Sequence, residues 1–579
     1  MLNASLLIAA GLFGLSSSSP VAAGELQATN QTTNDLQSSD QQANNLPTVN
    51  LGYSTYRATA LNATGAYYNF SNIRYAAPPL GDLRWAAPKP PVDAAGVQDG
   101  SVGYICSQSI PTWFGAAIGG LGPLLQSFPA DSSSQQQSED CLFLDVMAPT
   151  QVFKSAGSKT PKLVPVMFNI HGGGYFLGDK RTNYDPQGLL RQAQGGMIYV
   201  SPNYRLGAFG FLSGLQPSAA NTTTPNAGLL DQRMALKWVK KYIHLFGGDP
   251  SKVTVIGQSA GGGSVEYHTT AYGGSRPDEN SLIAGAISQS PAPLITDQQW
   301  RVLGANSFLQ AAGATSVDQL RKLPSATLQQ ANQKSQALTP QSVAFFVPVI
   351  DKDFIPDHPS NLYRQGKFNK NIKVMASHQA DEGRLFSNSS VQTDAEYDDW
   401  VRTNYPSSGQ ATWSYISQKL YPPTYDGSQG YRTPQERLQV TTQDLIIACN
   451  TVAINQAYGN KANSYNFAIP PAIHSQDLLY TYNRFANVPA AGDPAQNLQT
   501  SITMQKAFTR FTITGSPNVP GSPQFPPYGA NSQILNLAPT GPVVIKEPSD
   551  NARCQWVNRN LYSASATTGP RSVEAVAVS

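Results

Sequence analysis

The chain has 579 residues, of which only 13% are charged, and a net charge of +3 at pH 7. It has no basic cluster, which argues against a nucleic-acid-binding protein. Past residues 1–23 no stretch is apolar for long enough to span a bilayer, which argues against a transmembrane anchor.

The elements read as follows in chain order. Residues 1–23 carry no charged side chain and place the apolar run Leu6–Phe13 before small residues ending in Val21-Ala22-Ala23, the pattern of a signal peptide cut after Ala23. Residues 24–48, rich in Gln, Asn, Ser and Thr, predict a disordered polar extension. Residues 49–579 hold no linker, composition break or internal repeat and predict a single domain. Asn30, Asn62, Asn69, Asn221 and Asn388 open Asn-x-Ser/Thr acceptor sites for glycans. The four cysteines allow three pairings.

Leu163–Ile170 is mostly apolar and predicts a central strand, followed by the loop His171-Gly172-Gly173-Gly174. Further on, Leu230, Met234 and Trp238 recur at helical spacing beside Ala235 and predict a helix packed on that face, with Lys237, Lys240 and Lys241 on its polar side. Lys252–Ile256 is a short β-branched run that reads as a buried strand, and Gly257-Gln258-Ser259-Ala260-Gly261 follows it directly, opening a helix. A strand, a Gly-x-Ser-x-Gly turn and a helix form a nucleophile elbow. The turn is so tight that side chains at 257 and 261 would collide with the neighbouring elements. Its geometry lifts the Ser259 hydroxyl above the sheet and points the helix N-terminal N–H groups at a developing oxyanion. In hydrolases built on such an elbow the glycine-rich loop supplies the rest of the oxyanion hole, which assigns the donors to Gly173, Gly174 and Ala260.

Chain order on this scaffold runs Ser, then Asp or Glu, then His, so His171 reads as a loop-ordering residue and not as the base. The strand Asn371–Ala376 leads into Asp381-Glu382, two adjacent carboxylates of which one can serve the base. Two of the six histidines follow residue 370. His378 lies close to the acids in sequence, and His474 sits on a loop after Pro470-Pro471.

With these residues in place, the chain resembles the type-B carboxylesterase/lipase family, relatives of the cholinesterases with an α/β-hydrolase fold, and most of all its secreted fungal members. The resemblance runs from Val49 to Trp556. It is carried by Asn72–Pro79, Ser138–Val146, Asn203–Gly207, Asn226–Arg233, Phe246–Pro250 and the elbow. It implies a large, mostly parallel sheet flanked by helices on both faces. It places the acid at Glu382, through Asp-Glu-Gly, and the base at His474, through His-x-x-Asp-Leu, leaving Asp381 and Asp477 in structural roles. It selects the disulfides Cys106–Cys141 and Cys449–Cys554.

The implied chemistry is hydrolysis of carboxylic esters by an acyl-enzyme route, with no metal and no organic cofactor, on a small-molecule or lipid ester. In lipases of the family the 106–141 loop is a mobile lid. Here it holds Trp113, Phe114, Ile118, Leu121, Leu124, Leu125 and Phe128 among glycines, which suits either a lid at a lipid interface or a fixed wall. Some relatives have lost the serine and act in adhesion, and the intact Ser259, Glu382 and His474 argue against that role. Two positions depart from the family pattern. Gln258 stands where a glutamate is usual, which removes a negative charge and weakens the case for a cationic substrate. Ala292 stands where glycine is usual, and we have no functional account of it. The sequence leaves the acyl and alcohol groups and the oligomeric state open.

Overall fold

The computed structural model describes residues 46–120, 136–215, 223–482 and 494–561. The expected signal peptide, almost all of the polar extension, Asn30, Asn221 and the Leu121–Phe128 part of the 106–141 loop lie outside the described residues. The described residues from Pro47 onward form one compact unit.

Fourteen strands occur among the described residues: β1 (Thr48–Asn50), β2 (Thr55–Arg57), β3 (Ala60–Asn62), β4 (Tyr67–Arg74), β5 (Val97–Gln98), β6 (Phe143–Pro149), β7 (Val164–Ile170), β8 (Ile198–Pro202), β9 (Gly248–Gln258), β10 (Gly285–Gln289), β11 (Lys373–Gln379), β12 (Ala462–Phe467), β13 (Gln533–Ala538) and β14 (Gly541–Lys546). Strands β1, β2 and β5 make a small separate sheet. The other eleven form one sheet in the order β14-β13-β12-β11-β10-β9-β7-β8-β6-β4-β3. The run from β8 to β13 is parallel throughout, and antiparallel strands close both edges.

This is the α/β-hydrolase fold. Every residue of β7 and of β8 is buried, which requires cover on both faces and explains why Leu163–Ile170 reads as a mostly apolar run. On one face Met167, Ile256, Ile287, Met375 and Leu535 pack with Met504, Phe508 and Phe511 of the helix Pro494–Thr514. A second cluster gathers Tyr397, Trp400, Leu438 and Trp556 around the Cys449–Cys554 disulfide. The other disulfide joins Cys106 to Cys141.

One expectation needs correcting. The helix around Trp238 spans Ala227–Tyr242, but Leu230 and Met234 are only partly buried, while Leu229, Leu236 and Val239 are fully buried with Trp238. Paired polar groups claim the rest of the inner surface. Asp231 accepts two 2.7 Å bonds from Arg205, Arg233 meets Glu279 at 2.9 Å, and Gln232 bonds His268 and Ser264. Pairing offsets part of the cost of burying these charges, and a hydrophobic pattern cannot register them.

Candidate active site

Ser259 sits between β9 and the helix Ala260–Thr270 with φ 61° and ψ −125°, a strained turn for a residue with a side chain. The flanking glycines are required by space. A Cβ on Gly257 would lie 2.4 Å from the Gly261 carbonyl, and one on Gly261 would lie 2.2 Å from the Ile170 oxygen. Backbone bonds hold the turn: Ser259 N–H donates to Gln289 O at 3.0 Å, and the Ser259 carbonyl accepts from Gly263 and Ala292.

The structure brings Ser259, His474 and Glu382 together across more than 200 residues of sequence. Ser259 Oγ is 2.8 Å from His474 Nε2, 215 residues away, and His474 Nδ1 is 2.6 Å from Glu382 Oε2. The second Glu382 oxygen, Oε1, accepts the Gln379 backbone N–H at 2.7 Å. Each side chain leaves the C-terminal end of a parallel strand: Ser259 after β9, Glu382 after β11 and His474 after β12. Asp381 N–H donates to Ala472 O at 2.9 Å, so the Glu382 loop and the His474 loop are pinned to each other by backbone. Glu382 is fully buried and His474 is 2% exposed. The edge of Phe386 meets the His474 ring at 4.9 Å.

The other candidates fall elsewhere. Asp381 is partly exposed and paired with Arg384. Asp477 accepts from Gln289, Tyr465 and Gln379, and burial pushes its carboxyl up to about 6. His171 stacks on Tyr204 at 4.3 Å and places Nδ1 2.9 Å from Gly172 O; burial pushes it down to about 4, so its ring is neutral and orders the loop. His378 faces Glu547.

The glycine loop lies against the elbow: a Cβ on Gly172 would be 2.6 Å from Gln258 O and 3.2 Å from Ser259 Cβ. Gly173 and Gly174 adopt φ 111° and 62°, which a side chain would resist. Among the described residues the N–H groups of Gly173, Gly174 and Ala260 have no protein acceptor. Three braces were not legible from sequence. Tyr184 Oη accepts the Gly172 N–H at 2.7 Å, Tyr204 donates to His171 O at 2.9 Å, and Gln476 Nε2 donates to Ile469 O at 3.2 Å, steadying the turn before His474. Tyr204 belongs to the Asn-Tyr-Arg segment already singled out, and that was the only sequence signal for any of them.

Ser259 and His474 open on a pocket of about 1190 Å³, its open mouth included, walled by Trp113, Phe114, Leu294, Leu385, Phe386 and Ile446. Gln258 also lines it, with Nε2 3.4 Å from His474 Nε2 and Oε1 accepting from Ser475 at 3.1 Å. Trp113 and Phe114 belong to the helix Thr112–Gly120, inside the loop that the Cys106–Cys141 bridge closes, and Trp113 Nε1 donates to Val343 O at 2.9 Å.

The sequence profile of the carboxylesterase family matches residues 47–556. Carboxylesterase patB of Aspergillus clavatus is 37% identical over 546 residues, covering 88% of this chain and 96% of that one. Lipase 1 of Geotrichum candidum is 30% identical over 72% of this chain and 80% of its own. Among solved structures, EstA of Aspergillus niger matches with a TM-score of 0.75 at 26% identity, over 90% of this chain and 100% of that one. A buried Ser-His-Glu constellation under an apolar pocket, on this sheet and with these relatives, leads to one conclusion: the chain belongs to the carboxylesterase family and is a carboxylic ester hydrolase.

Proposed function

We propose that this hydrolase is a secreted serine esterase acting on small apolar carboxylic esters through Ser259, His474 and Glu382. The observation that carries the reading is the unbroken hydrogen-bonded line from Ser259 Oγ through His474 to Glu382. His474 takes the serine proton as Oγ attacks the ester carbonyl. Glu382 holds the Nδ1–H tautomer and stabilises the imidazolium. The N–H groups of Gly173, Gly174 and Ala260 receive the oxyanion. The imidazolium returns its proton to the leaving alcohol, and the acyl group stays on Ser259. Water activated by the same ring then releases the acid.

The apolar walls favour an uncharged acyl group, and the neutral amide of Gln258 beside His474 gives a cationic substrate no countercharge. Secretion is supported by the leader-like residues 1–23 and by two disulfides, which persist in oxidising compartments. In this reading the mature chain is a polar extension, 24–48, followed by one hydrolase domain, 49–579.

A lipase reading has its own support: the helix Thr112–Gly120 presents Trp113 and Phe114 to the pocket, as a lid over a lipid substrate would. Hydrolysis of p-nitrophenyl esters from acetyl to palmitoyl, below and above the concentration at which the substrate forms an interface, separates the two. A short-chain optimum with no interfacial jump supports the esterase. A long-chain optimum that rises at the interface supports the lipase and a moving 106–141 loop. No turnover on any of these esters, by a folded protein, would overturn both.

A further inference from the structure

We propose that the buried pair His378–Glu547 positions Glu382 and sets the charge under which the triad works. The proposal rests on the reading of Ser259, His474 and Glu382 as the triad. His378 lies four residues before Glu382, near the end of β11, and Glu547 follows β14. Both side chains are almost fully withdrawn from solvent, at 2% and 0% exposure.

The hydrogen bonding of His378 fixes its charge. Nε2 is 2.8 Å from Glu547 Oε1, and Nδ1 is 3.1 Å from the Gln379 carbonyl oxygen. A carbonyl only accepts, so Nδ1 carries a proton. Glu547 Oε1 also accepts the Ser549 N–H at 2.9 Å, as a carboxylate does, so Nε2 carries one too. A histidine that donates from both nitrogens is an imidazolium. The balance of its surroundings agrees: burial opposes the charge, but Glu547 outweighs it and holds the ring up at about 9.

That cation lies directly behind the triad. Gln379 accepts from His378 through its carbonyl and donates its own N–H to Glu382 Oε1, so the residue that orients Glu382 is held through both of its flanking peptide groups. Glu382 is also among the charges that favour protonated His378. The buried row therefore alternates: Glu547 anion, His378 cation, Glu382 anion, His474. The remaining charges nearby are already paired or lie further along. Asp444 faces His378 but bonds Arg553 at 2.9 Å, Asp381 pairs with Arg384, and Asp477 stands beyond Glu382 towards His474. A cation at position 378 attracts the negative charge of Glu382 and repels a positive charge on His474. The two act in opposite directions on His474, since an ionised Glu382 attracts the imidazolium, and it is the direct repulsion by His378 that leaves the ring free to act as a base at lower pH.

The test is the pH profile of kcat/KM on a short p-nitrophenyl ester, measured on the full-length protein, its His378→Gln and Glu547→Gln variants, and Ser259→Ala as control. His378→Gln is expected to move the acid limb up by about half a pH unit or more, with kcat at neutral pH down by roughly 3- to 10-fold and KM nearly unchanged. Glu547→Gln, which leaves a buried histidine without its carboxylate, is expected to move the limb in the same direction by less. Should His378→Gln fail to fold, Glu547→Gln decides alone. A folded variant of lowered Tm whose profile overlies that of the native enzyme would reduce the pair to a structural tie and overturn the proposal. If Ser259→Ala is inert and the profiles do not move, this inference falls alone. Turnover by Ser259→Ala would remove the triad reading, and the inference with it.

Discussion

The strand ends that carry Ser259, Glu382 and His474 and the wall that faces them are built on different terms. At the strand ends, position is fixed by backbone: β9, β11 and β12 belong to one parallel block, and the loops after β11 and β12 bond each other directly. The wall is assembled from side chains on separate segments, including Trp113, Leu294, Phe386 and Ile446. It is secured by contacts such as Trp113 Nε1 to Val343 O and by the Cys106–Cys141 closure. A carbonyl attack needs its groups held to within fractions of an ångström, which a sheet supplies. A pocket needs only to be apolar and about the right size, which loops supply and can vary.

That contrast predicts a hierarchy of effects. Ser259→Ala is expected to lower kcat by about 10⁴-fold or more without loss of the fold, as judged by ester turnover and the thermal transition. Glu382→Gln is expected to cost about 10³- to 10⁴-fold, because the neutral amide no longer holds the productive tautomer, while Asp381→Asn costs only a few-fold. The reverse order would mean that Asp381 serves the base. Trp113→Ala is expected to shift the preferred acyl length, changing relative kcat/KM across the p-nitrophenyl series by roughly 10-fold, with little change for the acetyl ester. A uniform loss across the series would show that the wall also holds the chemistry.

The smallest effect is on stability. Burial lowers the His378 pKa, but the Glu547 carboxylate outweighs it and raises the ring from 6.5 to about 9. The favourable term is therefore complete below about pH 6.5 and lost as pH rises through about 9. Tm is expected to decline over that window, and His378→Gln to flatten the decline.

The same contrast governs what the sequence revealed. The elbow and glycine loop are local: their glycines, the preceding strand and the following helix fall within a few residues of each other, so the motif carries its own context. Choosing Glu382 over Asp381 took the family resemblance, because two neighbouring carboxylates look alike until one is buried and the other meets Arg384. The inner face of the Ala227–Tyr242 helix was misread because its buried charges are neutralised by residues up to 46 positions away. Glu547, 169 residues beyond His378, could not be foreseen from any spacing. The helix face and Glu547 were both missed because their partners are distant in sequence.

The order in which the strands occur along the chain has a consequence for synthesis. His474 reaches Ser259 from 215 residues further on, and β12, which leads to it, pairs with β13 beyond. Under the proposed mechanism, a growing chain that ends before residue 474 has the elbow and Glu382 but lacks the residue assigned as base. Reactivity arrives only when the last third has been translated and has docked onto the rest. Under the proposed mechanism, completion of the sheet is therefore also completion of the site.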